Sequence, residues 1–248
     1  MTVMLEVKNL ACVIGEQHIL NSVSFSIQSG ETVGIIGPNG SGKTTLFNCL
    51  SGFQPAQSGS ILLKGVEVIG KAAHERAQLG IGRVFQNFGI FRDSSILDNV
   101  VIALESKQGL GATFFPWSAQ NKRNRIAALE VLASIGLEHK ANAKASSLSG
   151  GQMRLLEIAR TLAFGAELFL LDEPTAGVSP KMKEDVAKLL SRLRAAGKTV
   201  LVIEHDINFI QKFCSRVLVL DSGRLVLDDK PDVVQSHPLL REIYFGVG

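Results

Sequence analysis

Residues 37–44 read Gly37-Pro38-Asn39-Gly40-Ser41-Gly42-Lys43-Thr44, a spacing of glycines, lysine and hydroxyl suited to gripping a phosphate chain. Glycine lets successive backbone N–H groups turn inward as an anion nest, and a following helix adds its positive end. Lys43 can then reach terminal phosphates, and Thr44 offers Mg²⁺ a hydroxyl. An ordinary glycine-rich turn would share the glycines without needing the full spacing. A second candidate is Leu168-Phe169-Leu170-Leu171-Asp172-Glu173, an apolar run that ends in two acids. Alone it reads first as a strand emerging into solvent. Beside a phosphate loop, Asp172 can hold Mg²⁺ through water and Glu173 can polarise an attacking water as general base. A third is Leu148-Ser149-Gly150-Gly151-Gln152, which precedes an amphipathic stretch through Met153, Leu156, Ala159 and Leu162. Ser149 is there a helix N-cap, and its end of the helix is a second anion site.

The elements that must position these residues are legible in the hydrophobic pattern. Thr32-Val33-Gly34-Ile35-Ile36 is a nearly all-apolar run leading into the glycine loop, and Thr45 to Leu50 is compatible with a helix, so the order is strand, loop, helix. From Leu168 apolar strands alternate with helices, through Val186, Leu189, Leu190 and Leu193 and then Thr199 to Ile203. That pattern predicts a parallel sheet covered on both faces. Leu5-Glu6-Val7 and the alternating Val23-Ser24-Phe25-Ser26-Ile27 predict a half-exposed antiparallel sheet before it. After Phe91 the spacing turns helical, as in Ile126, Leu129, Leu132 or Ala133, and Ile135, with a stop at Gly136. Gly109-Leu110-Gly111 and Phe114-Phe115-Pro116-Trp117 interrupt it as a loop whose apolar side chains serve either the core or a partner. Val217–Leu220 and Leu225–Leu227 flank the turn Asp221-Ser222-Gly223-Arg224 as a final hairpin before a short helical tail.

The composition bounds the function. With 248 residues, 46% of them hydrophobic, the chain can bury a substantial core as one large domain or a domain with a subdomain. A net charge of +3 arises from scattered, nearly balanced acids and bases, with no long basic tract for nucleic acid or anionic lipid. Cys12, Cys49 and Cys214 are far apart and in no metal-ligand spacing, which predicts free, buried thiols in a reducing cytosol. The start Met1-Thr2-Val3-Met4-Leu5-Glu6 lacks the features of a secretory signal, and no apolar stretch approaches the roughly 18 residues of a membrane helix. Any membrane role is expected to go through other subunits.

With Leu148 to Gln152 in place, the sequence resembles the ABC ATPase family over essentially its whole length, in motif content and motif order. The resemblance implies an α/β fold, a P-loop NTPase with a RecA-like core of mainly parallel sheet, an N-terminal antiparallel β region and an inserted helical subdomain. As a single nucleotide-binding domain, residues 1–86 and 164–248 would be the catalytic core and residues 87–163 the helical subdomain. It implies ATP and Mg²⁺ as ligands, with Gly37, Pro38, Asn39, Gly40, Ser41, Gly42, Lys43, Thr44, Thr45 and Asp172 contacting nucleotide. Ser149, Gly150, Gly151 and Gln152 would bind the γ-phosphate held by the other protomer of a head-to-tail dimer. Gln86 matches the family's Q-loop glutamine and His205 its switch histidine, giving Glu173, His205 and Gln86 as catalytic residues and Thr44, Gln86 and Asp172 around the metal. Partners would be a second ATPase subunit, transmembrane permease subunits at the inner face of the cell membrane and, for an importer, a solute-binding protein.

Two departures from the family pattern stand out. Ile14, with Val13 before it, occupies the place of an aromatic that stacks on adenine, which predicts weak base discrimination. Ser179 replaces the D-loop aspartate in Glu173-Pro174-Thr175-Ala176-Gly177-Val178-Ser179-Pro180, so a cross-dimer contact there would be a hydroxyl's. Thr45-Leu46-Phe47-Asn48, Phe85-Gln86-Asn87, Leu156-Glu157-Ile158-Ala159-Arg160, Ala176-Gly177-Val178-Ser179-Pro180, Ile203-Glu204-His205-Asp206 and the tail Glu242-Ile243-Tyr244-Phe245-Gly246 resemble the ATPases of branched-chain amino-acid importers. ATPases of urea or amide importers and of lipopolysaccharide export share several of these. A soluble relative acting on ribosomes or DNA is the rival from another class, disfavoured because the chain has one cassette and no room for a long coil. A non-hydrolysing regulatory partner is disfavoured by the presence of Glu173, His205 and Ser149.

Overall fold

The computed structural model describes residues 2–85, 89–108 and 119–245. Strands β1 (Val3–Ile14) and β2 (Gln17–Gln28) form a long antiparallel hairpin, and β4 (Ser58–Leu63) with the short β5 (Val66–Glu67) completes a four-stranded sheet in the order β2-β1-β4-β5. The alternation read in β2 is realised, with Val23, Phe25 and Ile27 buried and Ser24 exposed. Both strands run further than their alternating cores, because the pairing of β1 with β2 shifts register at Val7/Leu10 and again beside Cys12. Each shift changes which residues face inward, so the period-two signal breaks while the ladder continues.

The second sheet has six strands in the order β10-β9-β3-β8-β7-β6. β3 (Thr32–Ile36), β6 (Ile81–Val84), β7 (Leu168–Asp172), β8 (Thr199–Ile203) and β9 (Arg216–Asp221) are parallel, and β10 (Arg224–Asp229) returns antiparallel beside β9. All five residues of β3, β7 and β8 are buried, the signature of strands covered on both faces. One face packs with α1 (Lys43–Ser51) against the antiparallel sheet, through Phe47, Leu50, Leu10 and Leu20. The other receives α6 (Pro180–Ala195), α7 (Ile207–Phe213), α8 (Pro231–Ser236) and α9 (Pro238–Phe245) around Phe169, Val202, Leu190 and Ile210.

A third apolar cluster is built from α3 (Ile96–Gln108), α4 (Ala119–Ser134) and α5 (Gly150–Ala163), with Ile96, Val100, Leu132 and Leu156 at its centre. The helical reading of this region holds, with Leu132 buried and Ile135 packed against the core as read, but the phase read at Ile126 and Leu129 of α4 does not. Ile126 and Leu129 are 53% and 41% exposed, whereas Asn124, Ala128 and Leu132 are buried. The inward stripe therefore follows an i, i+4 row that contains a small residue and an amide, and apolarity alone points to the neighbouring row. Gly136 ends the segment with φ 72°, as read. The loop carrying Phe114 to Trp117 lies outside the described residues.

All three cysteines are buried and free. Burial pushes the Cys49 and Cys214 thiols up to about 12, so neither supplies thiolate near neutrality. Native protein is accordingly expected to resist a thiol-alkylating reagent at all three positions and to label fully once unfolded, which mass spectrometry would show. The α4 phase gives a second expectation in chemical denaturation. Leu132→Ala should cost about 2–5 kcal/mol, and Ile126→Ser should stay within about 0.5 kcal/mol of wild type; equal losses would refute the orientation.

Candidate active site

β8 lies between β3 and β7, with Ile203 opposite Ile35 on one side and Asp172 on the other. Loops leaving the carboxyl ends of these three strands therefore open onto one edge, where open α/β sheets bind ligands. From β3 comes the glycine loop. Gly37 sits at φ 151°, and a Cβ added to it would stand 2.0 Å from the Leu220 carbonyl oxygen, so only glycine fits. Gly42, at φ 101°, caps α1 and lies so close to β2 that a Cβ would be 2.9 Å from the Ile19 carbonyl oxygen. The turn of the last hairpin closes the other side, where the Gly223 amide donates to the Ser41 carbonyl at 3.1 Å.

Lys43 lies along the floor of this loop, and its Nζ donates to the carbonyls of Gly37 and Pro38, each at 2.8 Å. Burial lowers its pKa, while the charges of Glu173 and Asp172 act to raise it. The field of the two acids thus reaches the ammonium across the strand edge. Asn39, Gly40, Gly42, Lys43, Thr44 and Thr45 face Glu173 and His205 across a cavity of about 300 Å³, with Ile19 beside them. Glu173 takes a left-handed backbone, φ 47°, a strain of roughly 1–3 kcal/mol that must be held from outside. Two bonds supply that restraint. Its amide donates to the Ile203 carbonyl at 3.0 Å, and the amide of Thr175 donates to the buried Glu204 Oε1 at 2.8 Å. The Glu173 Oε1 then stands 3.0 Å from His205 Nε2, and Asp206, the next residue, caps α7 and pairs with Lys183.

Asp172 is buried and bonded through Oδ2 to Arg83 Nη2 at 3.0 Å. Burial raises its pKa, an effect that Arg83 opposes and Glu173 reinforces. Among the described residues, Ser41 Oγ and Arg83 Nε are the buried side-chain polar atoms with no hydrogen-bond partner. A glycine loop with an unpartnered buried hydroxyl, an ammonium and two threonine hydroxyls, with Glu173 across the cavity and Asp172 beside it, is a set that fits a phosphate chain with its divalent cation.

Ser149, Gly150, Gly151 and Gln152 are not in the lining of this cavity. Ser149 caps α5 in a reciprocal box: Gln152 N donates to Ser149 Oγ at 3.4 Å and Ser149 N donates to Gln152 Oε1 at 3.2 Å. Gly151 packs against Met182, which lies 2.4 Å from where a Cβ would be. Ser179 caps α6, accepting from the Met182 amide at 3.4 Å. Ile14 is 47% exposed at the end of β1, and Gln86 lies outside the described residues. Three residues escaped the reading of the sequence. Arg83 is a charge inside the apolar run Ile81-Gly82-Arg83-Val84, and Glu157 an acid among the buried residues of α5; in each the clash with its surroundings is the available signal. Glu157 Oε1 accepts from the amides of Phe85 at 3.3 Å and Gly89 at 3.2 Å, and its Oε2 from Arg154 at 2.8 Å. Tyr244, whose hydroxyl accepts from the Gly37 amide at 2.8 Å, carries no comparable signal.

Comparison with known proteins places this geometry. The family described as ABC transporter matches residues 20–176. A probable branched-chain amino acid transport ATP-binding protein LivG of Archaeoglobus fulgidus is 32% identical over 98% of this chain and 95% of its own length. The lipopolysaccharide export system ATP-binding protein LptB of Escherichia coli is 34% identical, over 98% and 97%. Among solved structures, the ADP conformation of MJ1267, an ATP-binding cassette of an ABC transporter, superposes with TM-score 0.88 at 30% identity over the whole of both chains. The dimeric post-hydrolysis state of the cassette MJ0796, bound to ADP and Pi, gives 0.78 at 33%, covering 92% of this chain and 99% of that one. Sequence and structure agree from end to end, and the chain belongs to the ABC transporter family, as one of its ATP-hydrolysing cassette subunits.

Proposed function

We propose that this cassette drives a solute importer, that its substrate is a branched-chain amino acid, and that the edge formed by β3, β7 and β8 is its hydrolytic half-site. The observation that carries the catalytic part is the placing of Glu173 and His205 opposite Lys43 across one cavity. In this reading the loop amides from Asn39 onward and Lys43 bind the phosphates, and Lys43 must leave the Gly37 and Pro38 carbonyls to do so. Glu173 takes the proton of the attacking water, and His205 holds the carboxylate in line. Thr44 and Asp172, with Gln86, are the residues that would hold Mg²⁺, which when bound supplies charge neutralisation on the phosphate oxygens. Arg83 keeps Asp172 fixed at the strand end.

The absence of Ser149 to Gln152 from the cavity lining supports a composite site, as does the dimeric form of the related cassette MJ0796. The N-terminus of α5 would then face the nucleotide of a second cassette, with Ser179 near the same junction. Residues 87–163 act as the helical subdomain. Between it and the core lies a cavity of about 340 Å³ with Phe85, Phe91, Ile102 and Phe164 in its walls. This groove suits an apolar segment of a permease, and no helix among the described residues is long and apolar enough to cross a membrane. We therefore place the chain peripherally, at the cytoplasmic face, with a solute-binding protein delivering cargo to the permease. Similarity to LivG supports the amino-acid substrate, and comparable similarity to LptB supports lipopolysaccharide-type export as the second reading. Copurification from membranes decides between them, since an importer permease or an export permease would be identified directly.

Three outcomes test the site. Glu173→Gln should retain ATP binding, lower turnover by about 10²–10⁴-fold and favour the dimer in size-exclusion chromatography with ATP; near-normal turnover would remove Glu173 from its role. Lys43→Ala should weaken ATP binding by about 10-fold or more, as expected for a charged hydrogen-bond donor. With Ile14 in the stacking position, affinities for ATP and GTP should agree within about 10-fold in a calorimetric titration, and a larger preference would contradict the assignment.

A further inference from the structure

The C-terminal helix α9 touches the phosphate loop at one point. Tyr244 Oη accepts from the Gly37 amide at 2.8 Å, and the Gly37 carbonyl accepts from Lys43 Nζ at 2.8 Å. Gly37 is thus held on its amide side by the tail and on its carbonyl side by the lysine that the proposed mechanism sends to phosphate. Its two backbone torsions lack a side chain to restrain them. Space is tight where a Cβ would stand, 2.0 Å from the Leu220 carbonyl oxygen and 2.8 Å from Ser41 Oγ. Helix α9 is itself anchored: Leu240 is buried, and Ile243 packs against the cluster that contains Ile36, the last residue of β3. Leu240, Ile243 and Tyr244 stand at i, i+3 and i+4, one face of the helix. The tail therefore grips both the strand that leads into the loop and the loop's first amide.

We infer that Tyr244 is a positioning residue for nucleotide binding, its hydroxyl fixing the Gly37 peptide when Lys43 leaves the Gly37 carbonyl for a phosphate. This rests on the reading of residues 37–45 as the nucleotide site. While Lys43 is bonded to the Gly37 carbonyl, the loop's start has two restraints; once the lysine turns to phosphate, the Tyr244 bond is the side-chain restraint left on that residue. The contact consequently matters more in the loaded state than in the free one. By reciprocity, nucleotide must tighten the docking of α9 as much as the docked tail tightens nucleotide.

Tyr244 is the chain's single tyrosine, so biosynthetic 3-fluorotyrosine gives one ¹⁹F resonance that reports this hydroxyl alone. Calorimetry of the full chain with ADP and Mg²⁺, for wild type and Tyr244→Phe, provides the second readout. The expected result is an ADP-dependent shift of the ¹⁹F line together with an affinity about 2- to 10-fold weaker in Tyr244→Phe, the size of one net hydrogen bond. Turnover at saturating ATP should change by less than about 2-fold, since the phenol touches no reacting atom. Wild-type affinity in Tyr244→Phe, or a ¹⁹F line unmoved by ADP, overturns the inference while leaving the nucleotide site intact. Should Tyr244→Phe prove unstable, the ¹⁹F line of the wild-type chain decides alone. Failure of the wild-type chain to bind ADP at all would instead overturn the nucleotide-site reading, and this inference with it.

Discussion

β8 is hydrogen-bonded to β3 on one edge and to β7 on the other, all three running the same way and ending level. Parallel pairing is what brings the glycine loop, the acid pair and His205 together, since each lies at or just past the carboxyl end of its own strand. A shift of one residue in either ladder would turn Asp172 or the start of the loop to the opposite face of the sheet. Both faces of these strands are close-packed, so such a shift would have to repack the layers on either side at once. The tightness of the core and the precision of the site are in this sense one property: the helices on one face and the antiparallel sheet on the other fix the register.

At the polar edge of that core the chain tolerates charges that burial alone would disfavour. Asp172, Arg154 and Glu157 are buried, and the Arg83 side chain is only 5% exposed. Buried pairs contribute little net stability, because desolvation offsets their attraction, but loss of one partner leaves an expensive unpaired charge. Such pairs are therefore better understood as position-fixing devices. Arg83 is flanked by the rings of Phe47 and Phe85, 5.2 and 5.1 Å from their centroids, which holds the guanidinium where it can meet Asp172. Glu157 uses one oxygen for the amides on either side of residues 86–88 and the other for Arg154. A single acid of α5 thereby ties both ends of the segment that carries Gln86 to the helix that begins at Ser149.

What could be read from the sequence follows from how local each signal is. The glycine loop, its strand and its helix are contiguous, so eight residues and their flanks sufficed. The acids after Leu171 and the hairpin around Gly223 are likewise written in short runs. The half-exposed sheet is legible in Leu5-Glu6-Val7 of β1 and in β2, where Val23, Phe25 and Ile27 keep strict alternation, while bulges hide the rest. For α4, Asn124 occupies a buried position that no apolar count would assign, and Ile126 draws the pattern to the wrong row. Arg83, Glu157 and Tyr244 act through partners about 70 to 200 residues away. Nothing local to them names those partners. The capping role of Ser149 is local and plain in sequence as a serine before a helix, whereas Ser179, read only for a cross-dimer contact, shows its cap on α6 in the structure alone.

The Ser149 cap bears on how a second cassette would be recognised. A Ser149 hydroxyl already accepting from the Gln152 amide still carries a proton to donate, and the first-turn amides of α5 remain at its positive end. The cap thus orients the hydroxyl without exhausting it. Gly151, pressed against Met182, fixes how far the start of α5 stands from α6, whose own cap is Ser179. Two helix N-termini, both capped by serine, are thus joined by one glycine-to-methionine contact. A phosphate offered by a partner would meet preset donors, and the free energy of binding would go into closing the dimer rather than into ordering the loop that receives it.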